Sequence, residues 1–348
     1  MFKKLYALFS NDIGIDLGTA NTLVYLRGHG IVINEPSVVA LNTKTGRIVA
    51  VGTEAKKMLG RTPAHIKAVR PIVDGVISDF EVTEEMLAYL IGKTEKISKK
   101  FFRPRVVVGV PSGITNVETR AVYDAARSAG AREVHIIEEP MASAIGIRMP
   151  VKEPVGSLIV DIGGGTTDIA VISLGGIVRS KNLKIAGDRL NSDIMSYLRD
   201  EFKLLIGEKT AESVKIAIGT VTEGSPMEAE VRGRDLVTGL PREVIVTDGD
   251  VREAIGASIA GLIEGVKEVL ETTPPEILAD VMHRGVVLSG GGALLAGLDE
   301  LLHSILKIPV YVAEDPLSAV ARGAGIVLED IEYYKEVLIG TGDELPPR

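Results

Sequence analysis

The sequence predicts an α/β protein built from two duplicated lobes, each carrying a small insert. Three observations support this. The length of 348 residues exceeds what a single hydrophobic core ordinarily supports. Residues 12–26, DIGIDLGTANTLVYL, and residues 158–173, LIVDIGGGTTDIAVIS, repeat one pattern: an apolar strand ending in Asp, a Gly/Thr turn, then a second β-rich run. Strand and helix signals alternate between and after the two copies, as in sheets covered by helices. The copies stand about one domain length apart. Two ordinary hairpins would not be expected to share the order Asp, Gly, Thr.

The elements follow in order. Residues 106–110 form a continuous apolar run ending at Pro111, the pattern of a buried strand. Thr115 and Glu118 have capping-box spacing, so a helix is expected over 115–128, stopped by Gly130. Residues 134–137 read as the next strand, and Pro140 suits the first turn of the helix after it. In the second half, 285–289 is strand-like and 293–306 reads as an amphipathic helix after three glycines. Residues 34–78 and 188–250 read as the inserts, and the tail 340–348 as a frayed end.

Composition narrows the function. The apolar share of 45% supplies ample core, and a net charge of -8 disfavours nucleic acid as the main partner. Cysteine is absent, which excludes disulfides and thiolate metal sites and fits a cytoplasmic setting. No apolar stretch reaches the roughly 18 residues that span a bilayer. The first ten residues lack the continuous apolar run and small-residue cleavage site of a secretory signal.

Gly92, Lys93 and Thr94 imitate the end of a P-loop, but Leu87 stands where the motif needs glycine, and the context is a helix terminus. The two Asp/Gly/Thr turns are stronger. Gly18 and Gly163, Gly164 and Gly165 let backbone N–H groups approach an anion, and Thr19, Thr166 and Thr167 add hydroxyls. Asp16 and Asp161, at strand ends, suit a magnesium ion held through its waters. Two such turns facing each other would clamp a polyphosphate between the lobes. Glu139, beside Pro140 at a helix start, either orients a water for attack on a γ-phosphate or caps its own helix. Ser289, Gly290, Gly291 and Gly292 open a Gly-rich turn that either passes a nucleotide or is simply tight. Glu212 and Lys215, three apart on a helix, either bracket a nucleoside or form a solvated surface pair.

DLGTAN, DIGGGTTD, EEPMASAIG and LSGGGALLAGLDELL, in this order, resemble the actin, sugar-kinase and heat-shock ATPase superfamily. The flanking text, NTLVYLRGHGIVINEPSVVA, MLGRTPAHIKAVRP, VDGVISDFE and TPPE with LADV, is similar to the bacterial actins of the MreB kind. The likeness runs from Asn11 to about Asp330. It implies an actin-like fold of two ribonuclease-H-like lobes, with ATP or ADP and Mg2+ in the cleft. By resemblance, Asp16, Gly18, Thr19, Ala20 and Asn21 form the first phosphate loop. Asp161, Gly163, Gly164, Gly165, Thr166 and Thr167 form the second, with Gly187 and Asp188 beside it. Glu139 and Thr166 take catalytic positions, Glu212 and Lys215 line the nucleoside, and Gly290, Gly291 and Gly292 pass the adenine. Asp168 stands where many relatives carry Glu, and Ser143 replaces a more usual Ala. The implied division is 11–33, 79–150 and 318–348 for subdomain IA, 34–78 for IB, 151–187 and 251–317 for IIA, and 188–250 for IIB. The implied activity is a cytoplasmic ATPase that polymerises into paired filaments on the inner face of the membrane. It would organise cell-wall elongation and rod shape with membrane proteins of that machinery.

The N-terminus adds an independent expectation. On a helix, Met1, Phe2, Leu5, Tyr6, Leu8 and Phe9 fall within roughly 160° of arc, with Lys3 and Lys4 opposite. Such a segment, 1–10, suits a bilayer interface with anionic headgroups; a frayed start or a helix docked on its own core is the alternative. Lys99, Lys100, Phe101, Phe102 and Arg103 offer a second basic-aromatic contact or part of the core. On helix 115–128, Val117, Ala121 and Ala125 form a small-residue stripe suited to filament pairing if exposed, with Val122, Ala126 and Ala129 facing the core. Two other classes share the fold. A heat-shock-type chaperone would need a substrate-binding domain, for which little chain follows Asp330, and a small-molecule kinase would need a second carboxylate motif.

Overall fold

A computed structural model of the chain describes residues 11–98 and 103–339. The amphipathic segment 1–10, the basic-aromatic residues 99–102 and the tail 340–348 lie outside the described residues.

In the first half, β1 (Ile13–Leu17), β2 (Asn21–Leu26) and β3 (Gly30–Pro36) form an antiparallel meander. The insert β4 (Val39–Asn42), β5 (Ile48–Val51), α1 (Thr53–Met58) and β6 (Ile66–Val69) follows, then a hairpin of β7 (Ile72–Val73) and β8 (Val76–Ile77). Next come α2 (Phe80–Ser98), β9 (Arg105–Val110), α3 (Asn116–Ser128), β10 (Glu133–Glu138) and α4 (Glu139–Gly146). The second half opens on another meander, β11 (Ser157–Ile162), β12 (Thr167–Ser173) and β13 (Gly176–Leu183). Its insert runs through α5 (Gly187–Asp200), β14 (Leu204–Leu205), α6 (Glu208–Ile218), β15 (Glu228–Asp235) and β16 (Pro241–Thr247). The chain closes with α7 (Asp248–Thr272), α8 (Pro275–Arg284), β17 (Val286–Ser289), a 3₁₀ turn (Gly291–Leu294), α9 (Leu298–Leu306), β18 (Val310–Val312), α10 (Ala319–Glu329) and β19 (Leu338–Ile339).

The two principal sheets share one plan. Their orders are β19-β10-β9-β1-β2-β3 and β13-β12-β11-β17-β18. In each, an antiparallel meander continues into strands parallel to its first member. The register repeats as well: Asp16 lies opposite Gly109 across its parallel ladder, and Asp161 opposite Ser289 across the equivalent one. Each lobe has its own apolar core. A third core lies between the sheets, where Val107 and Ile137 of one meet Ile159, Ala170 and Ile172 of the other around α4 and α10. Those helices touch backbone to backbone. A Cβ on Gly146 would sit 1.9 Å from the Ala319 oxygen, and one on Gly323 only 1.7 Å from the Ala142 oxygen. Glycine is required there because no side chain fits, and the contact seats α4 against α10 between the two sheets.

Local rules account for most boundaries. Thr115 caps α3 in a reciprocal capping box with Glu118, and the helix ends at Ser128 before Gly130, whose φ is +112°. Pro140 sits in the first turn of α4. Two expectations need correction. The helix expected over 293–306 is a 3₁₀ turn and a separate α9, divided where Gly297 takes a left-handed φ of +77°. Gly92, Lys93 and Thr94 lie inside α2, which runs on to Ser98, so they do not mark a helix end. The small-residue stripe on α3 also divides: Val117 is exposed, but Ala125 is buried in the core with Val122 and Ala126.

Candidate functional site

The site is built at the carboxyl ends of the parallel strands, where α/β sheets collect ligands. Asp16 is the penultimate residue of β1 and Asp161 of β11, so the duplicated register delivers a carboxylate from each lobe. The turns that follow meet face to face. A Cβ on Gly164 would lie 2.6 Å from Ala20 Cβ, and one on Gly165 would lie 2.6 Å from Thr19 Oγ1. These glycines are therefore approach positions, where backbone from one lobe lies against backbone from the other.

Neighbouring groups fix both turns. Ser37 Oγ donates to the Gly18 carbonyl at 2.6 Å, and Thr19 Oγ1 accepts from Gly75 N at 2.9 Å. Gly163 N donates to the Thr166 carbonyl at 2.8 Å, closing the second turn on itself. Gly187 N and Asp188 N, opening α5, donate to the carbonyls of Gly163 and Gly164 at 3.1 and 2.8 Å. Thr167 Oγ1 donates to the Ile185 carbonyl at 2.6 Å. Gly290 has a φ of +76°, and a Cβ there would lie 2.5 Å from Asp161 Oδ1, so the Gly-rich turn after β17 abuts the second Asp turn. Gly292 packs on Ile162 and Gly291 borders Leu317.

Burial dominates the electrostatics. Asp16 is pushed up to about 8, first by desolvation and then by the charge of Asp161. Asp161 is pushed up to about 6 by burial, opposed by the Ser143 and Ser289 hydroxyls, which bond each other at 2.7 Å. Asp168 is raised to about 7 by burial, although Ser112 N and Asn182 Nδ2 donate to its Oδ1 at 2.8 and 3.0 Å. Glu139 is raised well above the carboxylate range by burial and by Asp168, Asp16 and Asp161. Four acids in mutual repulsion, Asp161 and Asp168 buried and Asp16 and Glu139 partly so, are poised for a cation or a proton donor.

The donor set fits magnesium held through water. Asp161 Oδ2 is buried with no hydrogen-bond partner. Among the described residues no three acidic or histidine side chains are arranged to ligate a metal directly. Magnesium ordinarily keeps several waters and takes one or two carboxylates. Glu139 is the first residue of α4 and extends over β9, its Cγ 3.5 Å from where a Cβ on Gly109 would stand. The N-cap of α4 is Glu138, without a side-chain cap bond, so the helix gives Glu139 no capping task.

The remaining expected residues lie at the mouth. Lys215 Nζ donates to the Gly187 carbonyl at 2.8 Å, tying α6 to the start of α5. Glu212 pairs with Lys56 of the first insert at 3.1 Å, so it is not a solvated pair with Lys215. The residue reading passed over the segment between β6 and β8. There Arg70 pairs with Asp188 at 3.4 Å, and Gly75 N bonds Thr19. Its signal was the Asp74-Gly75 pair between β-rich residues, a two-residue hairpin turn; both have positive φ, +50° and +75°.

The family model for MreB/Mbl protein matches residues 10–336. The chain belongs to the MreB/Mbl family. The cell shape-determining protein MreB of Escherichia coli strain K12 is 52% identical over 341 residues, covering 96% of this chain and 98% of that one. MreB5 of Spiroplasma citri bound to ADP aligns with a TM-score of 0.89 and 38% identity, over 94% of this chain and 98% of that chain. MamK in a double helical filament aligns with a TM-score of 0.79 and 25% identity, over 92% and 99% of the two chains. The fold is actin-like, and the chain is an actin-like cytoskeletal protein of the cell-shape class. Among the described residues no helix is long and apolar enough to cross a membrane.

Proposed function

We propose that the chain binds ATP with magnesium between its two Asp/Gly/Thr turns, hydrolyses it, and polymerises into filaments on the inner face of the cytoplasmic membrane. One observation carries this reading: the duplicated lobes bring Asp16 and Asp161 to the same register, with the two turns in contact between them. The Gly18–Asn21 stretch and Gly163–Thr167 stretch cradle the phosphates with backbone N–H groups and threonine hydroxyls. Asp16 and Asp161 would hold a magnesium ion through its waters, and the bound ion would offset phosphate charge. Glu139 accepts the hydrogen bond that orients the attacking water, and Thr166 lies beside it on the second turn. Gly187, Asp188, Glu212 and Lys215 face the nucleoside side, and Gly290, Gly291 and Gly292 pass the base. The relatives support nucleotide binding and assembly: MreB5 of S. citri has been solved with ADP and with AMPPNP, and MamK as a filament. The four-subdomain division, with 34–78 and 188–250 as IB and IIB, belongs to the same proposal, as do the membrane segment 1–10 and the cell-wall elongation partners.

Sedimentation tests it. With ATP and magnesium the chain is expected to pellet as filaments visible by negative-stain microscopy, and to release phosphate. A chain that binds nucleotide but stays in the supernatant under all nucleotide conditions refutes the filament reading.

A further inference from the structure

The mouth between the two inserts is crossed by ion pairs whose cations lie mainly on one side. From the first insert, Lys56 on α1 reaches Glu212 on α6 at 3.1 Å. Arg70, just after β6, reaches Asp188 on α5 at 3.4 Å and also bonds Glu208, the first residue of α6. Asp74, in the β7–β8 turn, meets Lys184 before α5 at 3.2 Å. Asp188 and Glu208 stand in the first turns of α5 and α6, so these two acids also complement the helix dipoles. All these groups are partly exposed, with side-chain exposures of 27% for Arg70 and 34% for both Lys56 and Glu212. Single pairs of that kind hold weakly, and several acting together hold a surface closed.

The segment from Arg70 to Gly75 is tied to both phosphate turns. Gly75 N bonds Thr19 Oγ1 of the first at 2.9 Å. A Cβ on Gly75 would stand 3.4 Å from Thr166 of the second, and one on Gly165 only 3.0 Å from Asp74 Cα. Asp188, which holds Arg70, donates its backbone N–H to the carbonyl of Gly164 at 2.8 Å. Opening the mouth therefore pulls on the turns themselves.

We propose that Arg70 and Lys56, with Glu208, Asp188 and Glu212, form an electrostatic latch that retains the nucleotide by holding the two inserts together. The latch sets the rate at which nucleotide enters and leaves, while the turns set what is bound. Arg70 and Lys56 are positioning residues in this scheme, because they act on the phosphate turns through Asp188 and Gly75. The inference rests on the nucleotide site proposed above, and the test separates the two.

The test uses the full chain and the charge swap at Arg70 and Glu208, since Glu208 has no part in the proposed nucleotide contacts. A fluorescent ADP analogue is chased with excess ADP in stopped flow. Arg70→Glu, which loses two pairs, is expected to speed release about tenfold, and Glu208→Arg, which loses one, about threefold. The double variant R70E/E208R is expected to recover part of the lost retention and release more slowly than either single variant, because the swapped pair re-forms while the contact with Asp188 stays lost. Release from the unaltered chain should quicken with salt, and release from Arg70→Glu should not. A second readout needs no nucleotide. The chain lacks cysteine, so spin labels at Glu54→Cys and Lys209→Cys report the distance across the mouth, which is expected to lengthen or broaden in Arg70→Glu and recover in the double variant. Unchanged label distances in Arg70→Glu, or release at the original rate, overturn the latch. A chain that binds no ADP while its label distances still respond to the swap sinks the nucleotide reading and leaves the latch standing. If Arg70→Glu does not fold, Arg70→Gln serves the same comparison.

Discussion

Binding of magnesium and nucleotide is expected to expel protons, because the nucleotide-free protein holds carboxyls that resist ionisation at neutral pH. Burial and then the charge of Asp161 push Asp16 up to about 8, while burial raises Asp168 to about 7 and Asp161 to about 6. A divalent cation beside Asp16 and Asp161 favours their charged forms, so their protons leave when it arrives. Below the folded-state value of Asp16, one displaced proton weakens binding about tenfold per pH unit. From about pH 8 to about pH 6 the apparent affinity for Mg-ADP should therefore fall roughly 10²-fold. Isothermal titration in two buffers of different ionisation enthalpy counts the protons. Asp16→Asn removes the group and subtracts the titration of the nucleotide's own phosphates; this variant should bind Mg-ADP weakly and with a much flatter pH profile. The same shifts act on the empty protein. A carboxyl with a raised folded-state pKa contributes stability below its unfolded value of 3.8 and loses that contribution as pH rises through the folded value. The nucleotide-free chain should melt at a higher temperature at about pH 6 than at about pH 8, and Mg-ADP should remove most of that difference, because the loaded and unfolded states then both carry ionised carboxylates. Equal affinity at both pH values with no proton release would refute the placement of the ion beside these carboxylates.

Three further expectations follow from other parts of the molecule. Glu139→Ala should retain nucleotide while phosphate release from assembled protein falls about 10²- to 10⁴-fold; near-normal release removes Glu139 from the chemistry. Gly323→Ala should destabilise the chain by about 1–3 kcal/mol, because the new methyl has backbone 1.7 Å away and neither helix can yield alone; an unchanged melting temperature contradicts the account of the contact between α4 and α10. Removing residues 1–10 should abolish co-sedimentation with anionic liposomes while sparing ATP binding. Each copy binds weakly at roughly 1.5–3 kcal/mol per fully buried apolar side chain, and a filament multiplies the contacts. Liposome coating by the truncated chain redirects attention to Phe101 and Phe102.

The duplicated Asp turns were legible in the sequence because they combine two strong local signals, apolar strand runs and glycine turns, in the same order twice. Helix α3 was legible because its capping box is local, and the α4 start because Pro140 announces it. What escaped the sequence was tertiary. The break at Gly297 depends on a left-handed residue with Thr222 only 2.2 Å from where its Cβ would be, which no periodicity records. Ala125 joined the core because α3 packs on more than one side, so a narrow apolar stripe misjudged the buried arc. Glu212 looked like half of an intrahelical pair with Lys215; its partner, Lys56, is far away in sequence. Asp168 read as a mild departure, yet it is buried 1% exposed among the acids of the site and held by Ser112 and Asn182. Charge pairs between separate inserts carry no sequence signal at all, which is why the Arg70 segment emerged only from the fold.

The central claim is that the two turns clamp a magnesium nucleotide between the lobes of a polymerising protein. Electron cryo-microscopy of the chain assembled with magnesium and AMPPNP tests it most directly. The account predicts filaments in which the β- and γ-phosphates lie between residues 18–21 and 163–167, with the ion's waters against Asp16 and Asp161 and Glu139 facing the γ-phosphate. Nucleotide bound elsewhere, or filaments whose cleft holds none, would contradict it.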